Sequence, residues 1–205
     1  MPEPQRHALI TIDVDCMHGH TEQQHGCRRQ RGREDRCIDL SYRKWLPRYL
    51  DLLAELGLRS TFFLVADFAR QPGNQPFLQR LVAAGHEVAS HSLTHRIELC
   101  TLPLVEKARE IIDSKKILED LSGQEVVGFR GPGYAFDTDI ARLLLENGYL
   151  YDSSVVPGYL FPLYKKVRRL YDRLVFGQAI VHPNAPPRVS RTPYIILAAN
   201  DRWLV

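Results

Sequence analysis

Two histidines four residues apart, His91 and His95, are the side chains best suited to chemistry in this 205-residue chain. On a helix or in a tight turn, that spacing can place two imidazoles on the same side. Neutral imidazole is a good zinc ligand, and two of them leave room for a carboxylate and a water molecule. The spacing alone is weak support for a metal site, because a helix surface often carries two histidines in this way by chance.

Two carboxylates follow the first apolar run of the chain. Residues 8–12 (ALITI) are apolar and rich in β-branched side chains, which predicts a buried strand. Alternation along that strand would point Asp13 and Asp15 to the same side. Two carboxylates at the end of a buried strand are costly unless a cation or a catalytic role compensates them. A helix cap or a turn would explain one of them but hardly both.

Apolar periodicity and turn residues predict alternating strands and helices further along the chain. We predict strands at 61–65, 86–89, 126–129 and 149–151, and helices from Ser41 to about Leu56, at 75–84, at 102–121 and from the cap Asp137 to Glu146. This alternation favours a parallel α/β sheet or barrel. His91, Arg130 and Asp152 each come where a predicted strand ends, and barrel active sites are built at such ends.

The bulk composition excludes several classes of protein. With 44% hydrophobic and 25% charged residues, the chain is expected to form one domain, residues 1–205, with its own core. A net charge of +3 is too small to indicate a nucleic-acid partner. No segment approaches the ~20 apolar residues that cross a bilayer, and residues 1–7 lack the apolar core of a signal peptide. We therefore expect a cytoplasmic protein with reduced cysteines.

Two segments allow more than one interpretation. Residues 16–37 are rich in cysteine and histidine, so a zinc knuckle is conceivable, but an ordinary polar loop is favoured because the spacing fits no established pattern. Residues 159–176 are amphipathic, with basic residues among aromatics and leucines. That segment could contact the inner face of a membrane or cover a substrate groove, whereas a core-packed helix with a basic outer face is favoured.

Three motifs together resemble the polysaccharide deacetylases of the NodB-homology type, carbohydrate esterase family 4. They are Thr11-Ile-Asp-Val-Asp15, His91-Ser-Leu-Thr-His95 and Arg130-Gly-Pro-Gly133, in the family's order and after successive strands. The resemblance covers about residues 7–155 and implies a distorted, incomplete (β/α) barrel. Residues 155–205 would form an atypical or incomplete C-terminal part of the same domain.

The resemblance implies a role for each motif residue. Asp15, His91 and His95 would bind a divalent metal, with zinc the expected ion. Asp13 would be the general base, Arg130 would orient it, and the backbone N–H of Gly133 would help to stabilise the oxyanion. Three further residues would contact substrate: Pro132, Tyr134 and Asp152.

The expected activity is hydrolysis of a carbon–nitrogen amide bond other than a peptide bond. By resemblance, the substrate is an N-acetylated sugar in a polysaccharide or glycan. The alternatives are a hydrolase of a small cyclic amide or ureide, and an inactive metal-containing module that binds glycan.

The family also has a late Leu-x-His motif that supplies the general acid, and no clear copy is found. Ile180-Val-His182 has the right form but precedes a proline-rich stretch, which indicates a loop. We expect that His182 is not this acid, that the chain ends before the motif, and that its deacetylase activity is weak or absent.

Overall fold

The computed structural model of the chain describes residues 9–15 and 41–155. The strands are β1 (Thr11–Val14), β2 (Thr61–Leu64), β3 (Glu87–Ser90), β4 (Gly128–Phe129) and β5 (Tyr151–Asp152). The α-helices are α1 (Leu46–Glu55), α2 (Ala66–Ala69), α3 (Gln75–Ala83), α4 (Leu104–Ser122) and α5 (Thr138–Glu146). A π-helical segment, Ser41–Trp45, precedes α1, and short 3-10 turns lie at Leu99–Thr101 and Pro132–Tyr134.

Each strand pairs in parallel with the next strand along the chain, which gives the order β1-β2-β3-β4-β5. Thr11 lies opposite Thr61, and Thr61 lies opposite Glu87. A doubly wound sheet reverses its strand order at a switch point, whereas a (β/α) barrel adds each strand beside the last. The predicted fold class, a parallel α/β sheet of the incomplete-barrel type, is confirmed for the described residues.

The core lies between the central strands and the helices. In β2, Phe62, Phe63 and Leu64 are all 0% exposed, as expected for a parallel strand with both faces covered. The helices contribute buried apolar side chains at spacings of three, four and seven residues: Leu46, Leu50 and Leu53 from α1, Ile111 and Leu118 from α4, and Ile140 and Leu144 from α5. This packing fixes the strand ends that carry the polar residues.

The predicted strand boundaries were wrong by one to three residues. β1 runs from Thr11 to Val14 and not over 8–12, so Asp13 lies inside the ladder, where an ion pair compensates its charge. β3 begins at Glu87, one residue after the predicted start. β5 begins at Tyr151, because Tyr149 belongs to the core, with its ring edge-on to Phe129 at 5.8 Å between centroids.

The first helix differs from its prediction in its start and in its buried face. The α-helix begins at Leu46 and not at Ser41, and Pro47 occupies its first turn, where a missing N–H is harmless. The sequence places apolar residues over a face wider than the one that meets the core. Three apolar residues of this segment are consequently exposed: Trp45 (57%), Leu52 (47%) and Leu56 (59%).

Helix α4 turns polar side chains toward the interior, which periodicity did not predict. Two of its apolar residues, Val105 and Ile112, are exposed, at 74% and 38%. Three polar residues are buried instead: Lys107, Glu110 and Ser114. Buried polar groups persist when they are hydrogen-bonded. Lys107, for example, donates to Asp137 at 2.7 Å and Asp139 at 2.9 Å, which ties α4 to the start of α5.

Several predictions of the sequence fall on other parts of the chain. The cysteine- and histidine-rich segment 16–37, the amphipathic segment 159–176, His182 and the C-terminal part of the domain all lie outside the described residues. Within residues 9–15 and 41–155, none of the helices combines the length and the apolar character needed to span a bilayer.

His86 joins the beginnings of β2 and β3. Its Nδ1 accepts the backbone N–H of Ser60 at 3.2 Å, and its ring packs against Phe62 at 5.4 Å between centroids. The residue is 3% exposed. Burial and the nearby Arg59 guanidinium lower the pKa of His86 below its ordinary value of 6.5, so the native state favours the neutral ring.

We predict that His86 makes the protein less stable in mild acid. Because its pKa is lower in the folded state, the unfolded chain binds more protons below about pH 6.5, and the free energy of unfolding falls as the pH falls through that range. Urea unfolding of the parent and of His86→Gln, at pH 7.5 and 5.5, measures this contribution. The variant should lose less stability on acidification, and an equal loss in both proteins would contradict the prediction.

Candidate active site

The carboxyl ends of the strands bring the predicted residues to one edge of the sheet. Asp13 and Asp15 come from β1 and its end, His91 directly follows β3, and Arg130 directly follows β4. Parallel strands place their carboxyl ends together, so residues far apart in sequence become neighbours. Arg130 and Asp13, which are 117 residues apart, are in direct contact.

Asp15, His91 and His95 form a compact group of possible metal ligands. Asp15 Oδ1 lies 3.3 Å from Nε2 of His91 and 3.4 Å from Nε2 of His95. One ligand atom from each residue lies within 4.8 Å of the other two. The two histidines are 2% and 5% exposed, whereas the Asp15 side chain is 30% exposed. The predicted ligand set is therefore assembled at one point, with one partly open side.

A tight turn, and not a helix, aligns the two imidazoles. Ser92 and His95 both adopt left-handed backbone conformations, with φ of +67° and +62°. For residues other than glycine this conformation costs roughly 1–2 kcal/mol each, and it persists only where surrounding contacts impose it. One such contact is the hydroxyl of Ser92, which accepts the backbone N–H of His95 at 3.0 Å.

The second nitrogen of His91 is held by a backbone carbonyl. Nδ1 of His91 lies 2.6 Å from the carbonyl oxygen of Arg130, which can only accept. In the neutral ring the proton therefore sits on Nδ1, and the Nε2 lone pair faces Asp15. This arrangement is typical of metal-binding histidines. Two imidazole nitrogens and one carboxylate oxygen also suit a catalytic zinc site, which keeps a position open, so these residues fit a divalent metal.

Arg130 and Asp13 form an ion pair next to this group. Nη1 of Arg130 donates to Asp13 Oδ1 at 2.6 Å, and Nη2 donates to Thr11 Oγ1 at 3.0 Å. Ser153 accepts from the same guanidinium through its carbonyl at 3.2 Å and its hydroxyl at 2.7 Å. The guanidinium also lies 4.1 Å from the ring centroid of Phe63. These contacts fix the orientation of the Asp13 carboxylate.

The turn that follows Arg130 is fixed by close backbone packing. Gly131 leaves no space for a side chain, because a Cβ there would overlap the carbonyl oxygen of Ala135. Gly133 has a φ of +59°, and its Cβ position lies 3.1 Å from the side chain of Ile97. Pro132 is buried and Tyr134 is 44% exposed. The glycines are therefore required by the shape of this turn.

Asp152 supports the same turn through a serine. The Gly131 N–H donates to Ser154 Oγ at 2.7 Å, and the Ser154 hydroxyl donates to Asp152 Oδ1 at 2.6 Å. The other carboxylate oxygen of Asp152 accepts the Ser154 N–H at 2.9 Å. Burial raises the pKa of Asp152 to about 7, although the Ser154 hydrogen bonds and the charge of Arg130 oppose this rise. The predicted contact of Asp152 with substrate stays a prediction.

Sequence reasoning missed the residues that support the site. Ser153 and Ser154 directly follow β5, and a polar pair at the end of a strand was the available signal. Thr11 was part of the first motif but was given no role, although alternation along β1 places it on the same side as Asp13. No local pattern could have identified Phe63, because its position under Arg130 depends on the pairing of β2 with its neighbours.

The fold and the cluster together define a (β/α)-barrel protein with a candidate metal centre at its strand ends. The model of the polysaccharide deacetylase family matches residues 36–151, more than half of the chain. The chain therefore belongs to the polysaccharide deacetylase family. The match includes the two histidines and Arg130, whereas Asp13 and Asp15 lie upstream of it.

Individual relatives agree with this assignment. A peptidoglycan deacetylase from Helicobacter pylori is 27% identical over 132 residues, which cover 64% of this chain and 44% of that protein. A crystal structure of a candidate polysaccharide deacetylase from Mycobacterium smegmatis has a TM-score of 0.61 at 25% identity, covering 72% of this chain and 50% of the other. An allantoinase structure has a TM-score of 0.51 at 25% identity, covering 57% and 37%. The chain thus spans half or less of each of these proteins.

Proposed function

We propose that this chain is a metal-dependent N-deacetylase that hydrolyses the amide bond of an N-acetylated sugar in a polysaccharide or glycan. The observation that carries the proposal is the meeting of two groups at one edge of the sheet. The cluster of Asp15, His91 and His95 lies beside the ion pair between Arg130 and Asp13. Amide hydrolysis requires both a Lewis acid and a base, and this edge offers a group suited to each.

Asp15, His91 and His95 would hold the metal in this proposal. A divalent ion such as zinc supplies a Lewis acid that polarises the amide carbonyl and lowers the pKa of water to about 7. The protein contributes the alignment of the ligands. The turn from His91 to His95 sets the two imidazoles at 5.0 Å between ring centroids, and the carbonyl of Arg130 holds His91 in the required tautomer.

Asp13 would accept the proton of the attacking water as general base. It lies on the same side of β1 as Asp15, so the base and the proposed metal site face the same space. The hydrogen bond from Arg130 at 2.6 Å fixes one carboxylate oxygen, Oδ1, and leaves Oδ2 to receive the proton. Arg130 therefore positions the base and does not react itself.

The turn at residues 131–134 would bind the reacting amide. The N–H groups of Gly131 and Tyr134 are bound by Ser154 and by the carbonyl of Gly131, and Pro132 has none, so Gly133 is the proposed donor to the developing oxyanion. Tyr134, at 44% exposed, offers an aromatic surface of the kind on which a sugar ring packs, and Pro132 and Asp152 complete the proposed substrate contacts. The similarity to a peptidoglycan deacetylase supports a glycan substrate.

A second candidate is hydrolysis of a small cyclic amide or ureide. The structural similarity to an allantoinase favours it, since the same strand-end residues could serve either substrate. An inactive module that binds metal and glycan is the remaining alternative from the sequence.

We expect the chain with excess zinc to release acetate only slowly from an N-acetylglucosamine oligomer, because no clear copy of the general-acid motif is found, and to leave allantoin unchanged. Acetate and allantoin are measured in parallel on the same preparation. Consumption of allantoin without acetate release would favour the second candidate. Binding of the oligomer without either reaction would identify an inactive module and refute the proposed function.

We expect about one divalent metal ion per chain, with zinc preferred, because the ligand set offers three donors at one point. Elemental analysis after addition of zinc and gel filtration measures it. His91→Ala and His95→Ala should each lose the metal, whereas His86→Gln, a change to a histidine outside the cluster, should retain it. A parent chain that takes up no metal would contradict this expectation.

Asp13→Asn should retain the metal but lose hydrolysis by about a hundredfold or more, since a positioned base contributes 10²–10⁴-fold. Asp15→Asn is the matched variant, because it changes the neighbouring carboxylate and should weaken the binding of metal. Metal content and acetate release are measured on both. If Asp13→Asn lost the metal and Asp15→Asn kept it, the two roles would be reversed.

A further inference from the structure

We propose that Glu110, on helix α4, is the positioning residue that holds the turn between His91 and His95 in its metal-binding conformation. The inference rests on the proposed function only in taking these two imidazoles as metal ligands. It assigns a task to a buried carboxylate that lies in neither the ligand cluster nor the ion pair. Glu110 would act on the metal solely through the backbone of the turn.

The Glu110 carboxylate accepts three hydrogen bonds from this turn. Oε2 accepts the backbone N–H groups of Leu93 at 3.1 Å and Thr94 at 2.9 Å. Oε1 accepts the hydroxyl of Thr94 at 2.5 Å. Glu110 is 6% exposed, so little water competes for these bonds, and hydrogen bonds to a carboxylate are stronger than those between neutral groups. All the hydrogen bonds described for the Glu110 side chain come from this turn.

The opposite side of the turn is held by helix α2. The carbonyl of Ser92 accepts the N–H of Ala66 at 3.1 Å, and the carbonyl of Leu93 accepts the N–H of Asp67 at 3.0 Å. Two carbonyl groups of the turn are therefore bound by helix α2. Two N–H groups of the same turn are bound by Glu110 of helix α4. Removal of the carboxylate would leave two partly buried N–H groups without these acceptors, and the turn would have to move or admit water to satisfy them.

The conformation of the turn explains why such support is needed. The two residues bound by Glu110 lie between Ser92 and His95, both of which have left-handed backbone conformations that are unfavourable for their residue types. Relaxation of either residue would rotate the peptide planes that carry the imidazoles. The hydrogen bonds from the turn to Glu110 therefore control the relative orientation of the two imidazole ligands. That orientation governs metal affinity.

Helix α4 also provides a matched control. Glu119, on the same helix, accepts the backbone N–H of Val126 at 3.0 Å and pairs with Lys115 at 2.9 Å, away from the turn. Glu119→Ala removes a comparable acceptor of a backbone N–H and should reduce stability without changing the metal site. A general loss of packing around α4 would affect both variants alike.

The test compares zinc affinities of the 205-residue chain and its variants, measured by competition with a chromophoric chelator. Loss of a group that orients metal ligands typically weakens binding 10–100-fold, so Glu110→Ala should weaken zinc binding by about tenfold or more. Thr94→Val removes one of the three bonds and should weaken it by about threefold. Glu110→Gln can still accept both backbone N–H groups, so it should restore affinity to within about threefold of the parent.

A spectroscopic measurement separates positioning from simple loss of stability. The visible absorption of bound Co²⁺ reports ligand geometry, and it should change in Glu110→Ala but not in Glu119→Ala. Urea unfolding of the metal-free proteins gives the stability of each variant independently. If Glu110→Ala does not fold, Thr94→Val and Glu110→Gln decide the question by their affinities and spectra.

The proposal would be overturned if folded Glu110→Ala and Thr94→Val bound zinc as the parent does, or if Glu119→Ala weakened binding equally. A parent chain that bound no zinc would overturn it together with the metal site. A parent that bound zinc but released no acetate would refute the proposed deacetylase activity alone, and the comparison of affinities would still decide the role of Glu110.

Discussion

Arg130 is the residue on which the rest of the site depends, because it follows β4 and contacts β1, β2, β3 and the residue after β5. Its backbone N–H donates to Ser90 at 2.9 Å, and its carbonyl oxygen holds His91 at 2.6 Å. Its guanidinium binds Asp13 and Thr11 of β1 and Ser153 after β5, and it lies over Phe63 of β2. A guanidinium suits this position because its planar group carries five donors in fixed directions and also packs on an aromatic ring. Lysine would supply the charge without the geometry.

Arg130 therefore orients both the proposed metal ligand His91 and the proposed base Asp13. The carbonyl of Arg130 sets the tautomer of His91, while its side chain sets the direction of the Asp13 carboxylate. The position of the base relative to the metal ligands therefore follows from a single residue, whose own position is fixed by β4 and by Ser153. The turn that follows Arg130 is held in the same way by hydrogen bonds from Gly131 to Ser154 and from Ser154 to Asp152. Precise placement of reacting groups requires such supporting contacts.

The sequence was sufficient for the fold class and for the members of the cluster. Apolar runs separated by amphipathic segments indicated the parallel sheet, and the residues that end those runs were the ones that meet in space. Strand ends were predicted less well, because the ion pair that lets Asp13 lie inside β1 is made with a residue 117 positions away. Helix α4 was predicted from its apolar spacing, whereas its interior face carries Lys107, Glu110 and Ser114. Partners in distant elements decide the burial of such residues, and periodicity contains no information about them.

β1 is an edge strand of the described sheet, and it carries both carboxylates of the site. The sheet without β1 retains the imidazoles and Arg130 but has neither the proposed base nor the third ligand. β1 docks along β2 from Thr11 opposite Thr61 to Val14 opposite Leu64. This docking therefore brings the proposed base and the third ligand to the site in the same step that completes the described sheet. If the three proposed ligands bind a metal, its binding and the docking of β1 are thermodynamically linked. An ion present at a hundred times its dissociation constant would favour the docked state by at most about 2.7 kcal/mol, the value for an undocked state with no affinity for the ion.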